Sequence, residues 1–163
     1  MTFEKISNMP NVNDLKKIYL FDLLDPAQLE KVQQIAKEID VIAGDYVFDE
    51  GADAKSLFLI KHGSVEILKK SGNGNDASVA ILSSGSHFGE MSLIDKMPRA
   101  AAAVAKENLK LIEIDFSAID ALCQADLKMG LKIYKAFASA LCRRIRQTTG
   151  DLSSLKELKL RSV

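Results

Sequence analysis

Short runs of strand-forming residues, separated by turns that contain glycine, fill the middle of this chain from Val41 to Asp115. The runs are rich in Val, Ile, Leu, Tyr and Phe, which favour extended, half-buried backbone. They lie at 41–42, 46–48, 57–60, 65–68, 79–82 and 109–114. Turn residues recurring about every eight to twelve positions suit antiparallel pairing. The pattern predicts an antiparallel β-roll, a jelly-roll-like barrel of about eight strands.

Helical patterns flank the strands, so the predicted fold class is α+β. Residues 13–24 have apolar side chains at helical spacing and predict an amphipathic helix. Asp25, Pro26 and Gln28 form a good helix start, with an N-cap, a first-turn proline and a capping-box partner. The helix that they open is predicted to carry apolar residues at Leu29, Val32, Ile35, Ala36 and Ile39.

A long C-terminal helix follows, with Asp126 as its predicted N-cap, and it carries two apolar stripes. The first stripe consists of Leu127, Leu131, Tyr134, Ala138, Leu141, Ile145, Thr148, Leu152 and Leu155. The second stripe consists of Met129, Ile133, Phe137 and Ala140. We interpret one stripe as packing on the roll and the other as a homodimer surface. The alternative is a single-chain helix with a broad buried face.

Glycine at position 150 is expected to end or kink this helix. The predicted organisation is therefore an N-terminal helical segment at 1–24, a domain at 25–149 that includes the roll and the long helix, and a short tail helix at 150–163. Arg143, Arg144 and Arg146 are interpreted as cations in the last turns of the main helix, where they favour the helix dipole. A contact with nucleic acid or a protein partner is the alternative.

Composition excludes several classes of protein. The 163 residues carry 22 basic and 22 acidic side chains, so no global charge bias favours nucleic acid or a membrane surface. Two cysteines without CxxC spacing are typical of reduced thiols in a cytoplasmic protein. The sequence has neither a leader pattern nor a long apolar run, so we expect no membrane association.

The segment from Phe88 to Val104 combines features that suit an anionic sugar phosphate. Gly89 and Glu90 open a short helical stretch, whose first backbone N–H groups favour an anion. Arg99 follows Pro98 and enters a run of alanines that leaves room beside its guanidinium, a good partner for phosphate oxygens. An ionised Glu90 accepts hydrogen bonds from a sugar hydroxyl. The alternative for Glu90 and Arg99 is a structural ion pair across a turn.

The blocks Phe88-Gly89-Glu90-Met91-Ser92-Leu93-Ile94 and Pro98-Arg99-Ala100-Ala101 resemble the phosphate-binding cassette of the cyclic nucleotide-binding domains. Those domains occur in the regulatory subunit of cAMP-dependent kinase and in the catabolite activator protein. The glycine-punctuated roll is similar to the same family, over roughly 20–147. The resemblance implies a non-catalytic sensor whose C-terminal helix responds to ligand. It also implies a set of ligand-binding residues, namely Phe88, Gly89, Glu90, Met91, Ser92, Arg99, Ala100 and Ala101.

Departures from the family pattern favour cAMP over cGMP as the ligand. Family members that favour cGMP often carry Thr or Ser after the arginine, whereas this chain has Ala100. The resemblance also places the C-terminal helix over the base, where Tyr134, Phe137 and Leu141 are candidates that the sequence does not separate. No cofactor beyond the ligand is implied.

An enzyme is not expected, since no nucleophile motif, Walker loop or metal-ligand spacing occurs around His62, His87 or elsewhere. Two alternatives to a free-standing sensor stay open. One is the sensing part of a transcription regulator of the catabolite activator type, although thirteen residues after Gly150 do not suffice for a helix-turn-helix domain. The other is a degenerate domain that serves protein interaction alone. In each case the effector is unknown, and DNA binding by this chain alone is not expected.

Overall fold

A computed structural model describes residues 8–72 and 74–161, and it contains two four-stranded antiparallel sheets. The first sheet has the order β1-β8-β3-β6 and the second has the order β2-β7-β4-β5. The strands are β1 (Ala36–Val41), β2 (Tyr46–Phe48), β3 (Ser56–His62), β4 (Ser64–Lys70), β5 (Asp76–Ser83), β6 (His87–Phe88), β7 (Ala102–Ala105) and β8 (Leu109–Asp115). The predicted α+β fold with an eight-stranded antiparallel roll is confirmed, although the sheets do not close into one barrel.

Helices precede and follow the strands, and one short helix lies between β6 and β7. They are α1 (Val12–Leu15), α2 (Pro26–Ile35), α3 (Met91–Asp95), α4 (Phe116–Ala125) and α5 (Leu127–Arg161), with a 3₁₀ turn at Tyr19–Phe21. The predicted capping box is confirmed, because Oδ1 of Asp25 accepts from the Gln28 N–H at 2.9 Å and the Gln28 side chain bonds back. Asp126 also caps as predicted, with Oδ1 accepting from the Met129 N–H at 3.0 Å.

Strand β3, in the interior of the first sheet, is buried on both faces. Leu57 and Leu59 belong to a cluster with the helices, whereas Phe58 and Ile60 belong to a second cluster between the two sheets. Successive side chains of a strand point to opposite faces, so both faces of β3 are covered. This double burial explains why the strand is a continuous apolar run rather than an alternating one.

The N-terminal half departs from the predicted helices in two places. Residues 13–24 form only α1 and the 3₁₀ turn, because the chain is extended at Ile18 between them. Helix α2 ends at Ile35, so Ala36 and Ile39 belong to β1, where Ala36 pairs with Ile114 of β8. The spacing of these two residues fits a helix, but neighbouring strands override that local pattern.

Two strands beside the cassette were not predicted from the sequence. Strand β6 has only two residues, and β7 is built largely of alanine, which is depleted in strands. Alanine suits this position because Ala103 and Ala105 are fully enclosed in the cluster between the sheets.

The two apolar stripes of α5 lie in different surroundings, one buried and one exposed. Met129, Ile133, Phe137 and Ala140 are buried against the rest of the domain. The first stripe is largely exposed, with Leu127 77% and Leu131 72% accessible. The prediction that the helix ends at Gly150 is wrong, since α5 continues to Arg161. The predicted segments at 1–24 and 150–163 also include residues 1–7 and 162–163, which lie outside the described residues, as does Asn73.

Candidate functional site

A cavity of about 260 Å³ opens where β5, the segment 88–101 and α5 meet. All eight residues of the predicted ligand-binding set line it: Phe88, Gly89, Glu90, Met91, Ser92, Arg99, Ala100 and Ala101. Residues 79–82 of β5, together with Phe48 and Ile67, supply an apolar wall. The cavity therefore combines one apolar side with one side that carries both predicted charged residues.

Arg99 is a buried cation whose hydrogen bonds go to neutral groups. Its Nη1 donates to the Gly89 carbonyl at 2.9 Å and its Nη2 donates to the Ser56 carbonyl at 2.6 Å, while Cζ stacks 4.1 Å from the centre of the Phe48 ring. Among the described residues, no carboxylate forms an ion pair with it and its Nε has no partner. Burial lowers the pKa of Arg99 to about 10, so it stays charged at neutral pH. A buried cation without an anion is costly and suits an anionic ligand.

Position 89 needs a glycine for two reasons, its backbone conformation and the nearby side chain of Arg99. Gly89 has a φ of +81°, in the left-handed region, and a Cβ placed there would approach Arg99 Nη1 to 2.7 Å. Glycine avoids both the strain and the contact. The group that excludes a larger residue at this position is therefore the Arg99 guanidinium.

Glu90 is fully buried just before α3, and its partner comes from α5. Arg144 Nη1 donates to Glu90 Oε1 at 2.6 Å, and Nη2 of the same arginine donates to the His87 carbonyl. The second oxygen, Oε2, is buried with no hydrogen-bond partner among the described residues. Burial raises the pKa of Glu90, while Arg144 opposes that shift. The alternative of a Glu90–Arg99 ion pair is not seen, since the ionic partner of Glu90 is Arg144.

Histidine 87 is buried beside this pair. Its Nε2 lies 3.9 Å from Glu90 Oε1 and has no hydrogen-bond partner in the described part of the chain, and its ring meets Phe137 edge-on. Burial and the positive charges of Arg144 and Arg143 lower the pKa of His87 to about 3. The imidazole is therefore neutral at pH 7, and no sequence pattern indicates this buried placement.

The residues of α5 that line the cavity differ from the three candidates for a base contact. They are Arg144, Gln147, Thr148 and Asp151, whereas Tyr134, Phe137 and Leu141 do not line it. Phe137 is in the core, and the Tyr134 hydroxyl bonds Asp120 at 3.1 Å. Because α5 continues past Gly150, the three arginines at 143–146 are in the helix interior, and Arg144 serves Glu90 rather than the helix dipole.

Within 8–72 and 74–161, no three His, Cys, Asp or Glu side chains are grouped as a metal site would need. In the same residues, no helix is both long and apolar enough to span a bilayer. Cys123 and Cys142 are free thiols.

The family model of the cyclic nucleotide-binding domain matches residues 38–126, more than half of the chain. This match covers most of β1, all of β2 to β8, the cassette and α4. The chain therefore belongs to the cyclic nucleotide-binding domain family.

Named relatives of the chain are regulators. A CRP-like cAMP-activated global transcriptional regulator of Mycobacterium tuberculosis is 26% identical over 86% of this chain and 61% of its own length. A cAMP-dependent protein kinase regulatory subunit of Aspergillus fumigatus is 32% identical over 61% of this chain and 24% of its own length. The chain thus spans less than two thirds of each of these curated relatives, 61% of the first and 24% of the second.

A solved cyclic nucleotide-binding domain from Methylobacillus flagellatus has nearly the same extent. It matches with a TM-score of 0.84 at 20% identity, covering 93% of this chain and 88% of that one. At this identity the likeness supports the fold, including the long helix that follows the roll.

Proposed function

We propose that this protein is a non-catalytic sensor that binds a cyclic nucleotide, cAMP in preference to cGMP, in the cavity beside Arg99. The observation that carries the proposal is a buried Arg99 that lines the cavity without an anionic partner among the described residues. A cyclic phosphate supplies one negative charge at this point. Ligands of the named relatives support the choice, since two of them are called cAMP-activated or cAMP-dependent.

The rest of the cavity suits the remaining parts of the nucleotide. Oε2 of Glu90, buried and unpartnered in the described residues, is an acceptor for a ribose hydroxyl. The cavity is lined both by the apolar wall of 79–82 and by polar residues of α5, and the apolar wall offers a place for a purine ring. Ala100 provides no hydroxyl for a guanine base, which favours cAMP.

Helix α5 gives the sensor its output. Arg144 connects this helix to Glu90, the residue proposed to bind the ribose, so ligand binding and helix position share one side chain. A ligand shifts a two-state equilibrium only by its differential affinity for the two states. We infer that occupancy changes the Arg144–Glu90 contact and thereby the position of α5, which an effector protein reads.

Titration calorimetry and thermal shift with cAMP and cGMP test the binding. Saturating ligand at about 100 times Kd should stabilise the wild type by about 2.7 kcal/mol. Arg99→Leu and Glu90→Ala should abolish or greatly weaken that shift. Absence of a wild-type shift with either nucleotide rejects the sensor. A shift that persists in Arg99→Leu places the ligand elsewhere.

A homodimer is the second part of the proposal. The exposed stripe of α5 contains Leu127, Leu131, Ile145, Leu152 and Leu155, each more than half accessible. Its mixed spacing of three and four residues is that of a helix–helix seam.

The free thiols are compatible with a reducing, cytoplasmic setting.

A sensing part of a transcription regulator is the alternative role. The alignment with the Mycobacterium tuberculosis regulator covers 86% of this chain but only 61% of that protein, which supports a sensing unit with its effector elsewhere. Examining the natural reading frame for a following DNA-binding domain separates this role from a free-standing sensor. A degenerate domain without ligand is rejected if cAMP binds.

A further inference from the structure

A lysine outside the cavity holds the carbonyl of a residue that lines it. Lys69, near the end of β4, donates from Nζ to the Ala100 carbonyl at 2.7 Å and to Glu50 Oε1 at 2.6 Å. The other oxygen of Glu50 accepts from the Lys70 N–H at 2.9 Å. These hydrogen bonds lower the pKa of Glu50 and keep it ionised. Both oxygens of the carboxylate are therefore engaged, which fixes the ammonium against the Ala100 carbonyl.

The backbone of Arg99, the preceding residue, is held by the same turn that contains Glu50. The Arg99 carbonyl accepts from the Gly51 N–H at 2.8 Å, and the Arg99 N–H donates to the Ala52 carbonyl at 2.9 Å. The turn at 50–52 thus fixes the Arg99 carbonyl directly and the Ala100 carbonyl through Lys69. Two consecutive carbonyls are directed toward one turn.

In a trans peptide the N–H points opposite to the carbonyl of the same peptide unit. The described residues contain no cis peptide. The N–H groups of Ala100 and Ala101 therefore both point away from the 50–52 turn, and both residues line the cavity. Successive backbone N–H groups directed to one side form a concavity that binds anions.

We propose that Lys69 and Glu50 are positioning residues, which orient the N–H groups of Ala100 and Ala101 toward the phosphate of the ligand. This inference rests on the proposed function, since it assigns the phosphate partners in the same cavity. Neither side chain lines the cavity, and together they carry no net charge. Their effect therefore passes through the backbone rather than through long-range attraction.

The test measures affinity for cAMP in Lys69→Met by calorimetry. Loss of one oriented N–H to an anion should weaken binding about tenfold. Lys69→Arg keeps a donor to the carbonyl and should retain most of the affinity. Lys106→Met is the matched control: Lys106 makes a comparable surface pair with Glu66 at 3.3 Å but bonds no cassette carbonyl, so affinity should be unchanged.

A second readout separates orientation from general damage to the fold. The two phosphorothioate diastereomers of cAMP each replace one exocyclic oxygen by sulfur, a poorer acceptor. Because oriented amides distinguish the two exocyclic oxygens, the wild type should bind one diastereomer more tightly than the other. In Lys69→Met the ratio of the two affinities should move closer to one, and in Lys106→Met it should keep the wild-type value.

The outcomes distinguish this inference from the function on which it rests. If the wild type binds neither nucleotide, both the proposed function and this inference are rejected. If the wild type binds cAMP and Lys69→Met binds equally well, or loses affinity with an unchanged diastereomer ratio, the positioning role alone is overturned.

Discussion

Arg144 and Glu90 are 54 residues apart in the chain, yet their side chains meet at 2.6 Å, between Nη1 and Oε1. The carboxylate is fully buried and the arginine is about one-third exposed. This contact ties the residue before α3 to the middle of α5. Arg144 also bonds the His87 carbonyl, so one side chain joins the long helix to both β6 and the residue before α3.

Removing this arginine should destabilise the free protein. Arg144→Gln leaves Glu90 buried without its cation, and we expect a loss of about 2 kcal/mol in the free energy of unfolding, since such a group keeps its desolvation penalty. Urea denaturation at pH 7 measures it. Arg146→Gln, an exposed arginine on the same helix, is the control and should change stability by less than about 0.5 kcal/mol.

A double-mutant cycle with Glu90→Gln tests whether the stability lost in Arg144→Gln comes from the Glu90–Arg144 ion pair. Once Glu90 is uncharged, Arg144→Gln should cost clearly less than in the wild type. An equal cost in both backgrounds would mean that Arg144 stabilises the protein by other contacts.

Acid should destabilise the protein through His87. Its pKa is about 3 in the folded state against an ordinary 6.5, so only the unfolded chain takes up this proton as the pH falls through 6.5. Between pH 7 and pH 5 this histidine should cost about 2 kcal/mol of stability. Glu90, whose pKa burial raises, acts in the opposite direction, because there the folded state binds the proton more readily.

Comparing variants isolates the histidine from the carboxylates. Urea midpoints at pH 7 and pH 5 should differ much less in His87→Gln than in the wild type. His62→Gln removes the other, exposed histidine and should keep the wild-type pH dependence. A pH dependence that survives in His87→Gln would assign the acid sensitivity to other groups.

The cassette and most of the strands, but not β6 and β7, were predictable from sequence because their signals are local. Turns punctuate the strands, and the block around Gly89 and Arg99 is contiguous. Arg144 was assigned to the helix dipole instead, because its partner Glu90 is distant in sequence and the expected break at Gly150 hid the length of α5. Strand β7 was missed for a related reason: its alanines are selected by the narrow space between two sheets, not by strand propensity.

Adding a methyl group at Gly89 should lower the stability of the protein and displace the guanidinium of Arg99. Gly89→Ala forces a Cβ into the left-handed region and to within 2.7 Å of Arg99 Nη1. Gly44→Ala is the matched control, since its φ is +89° and its added Cβ would meet nothing within 4 Å. Backbone strain alone should cost about 1–2 kcal/mol at Gly44.

Gly89→Ala should cost more than that control and should also weaken cAMP binding. The difference in unfolding free energy between the two variants reports the contact with Arg99, and calorimetry reports the displaced guanidinium. Equal stability and affinity in the two variants would show that Arg99 moves aside without consequence.

The exposed stripe of α5 should hold two copies of the chain together. Ile145 and Leu155 are 65% and 58% accessible, and they belong to the same stripe. Sedimentation or light scattering should give a dimer for the wild type and a monomer for Ile145→Glu/Leu155→Glu, because charges in an apolar helix seam are left unpaired and desolvated. Lys135→Glu changes the charge of an exposed residue outside the stripe and should remain dimeric. A monomeric wild type at micromolar concentration would rule out the dimer.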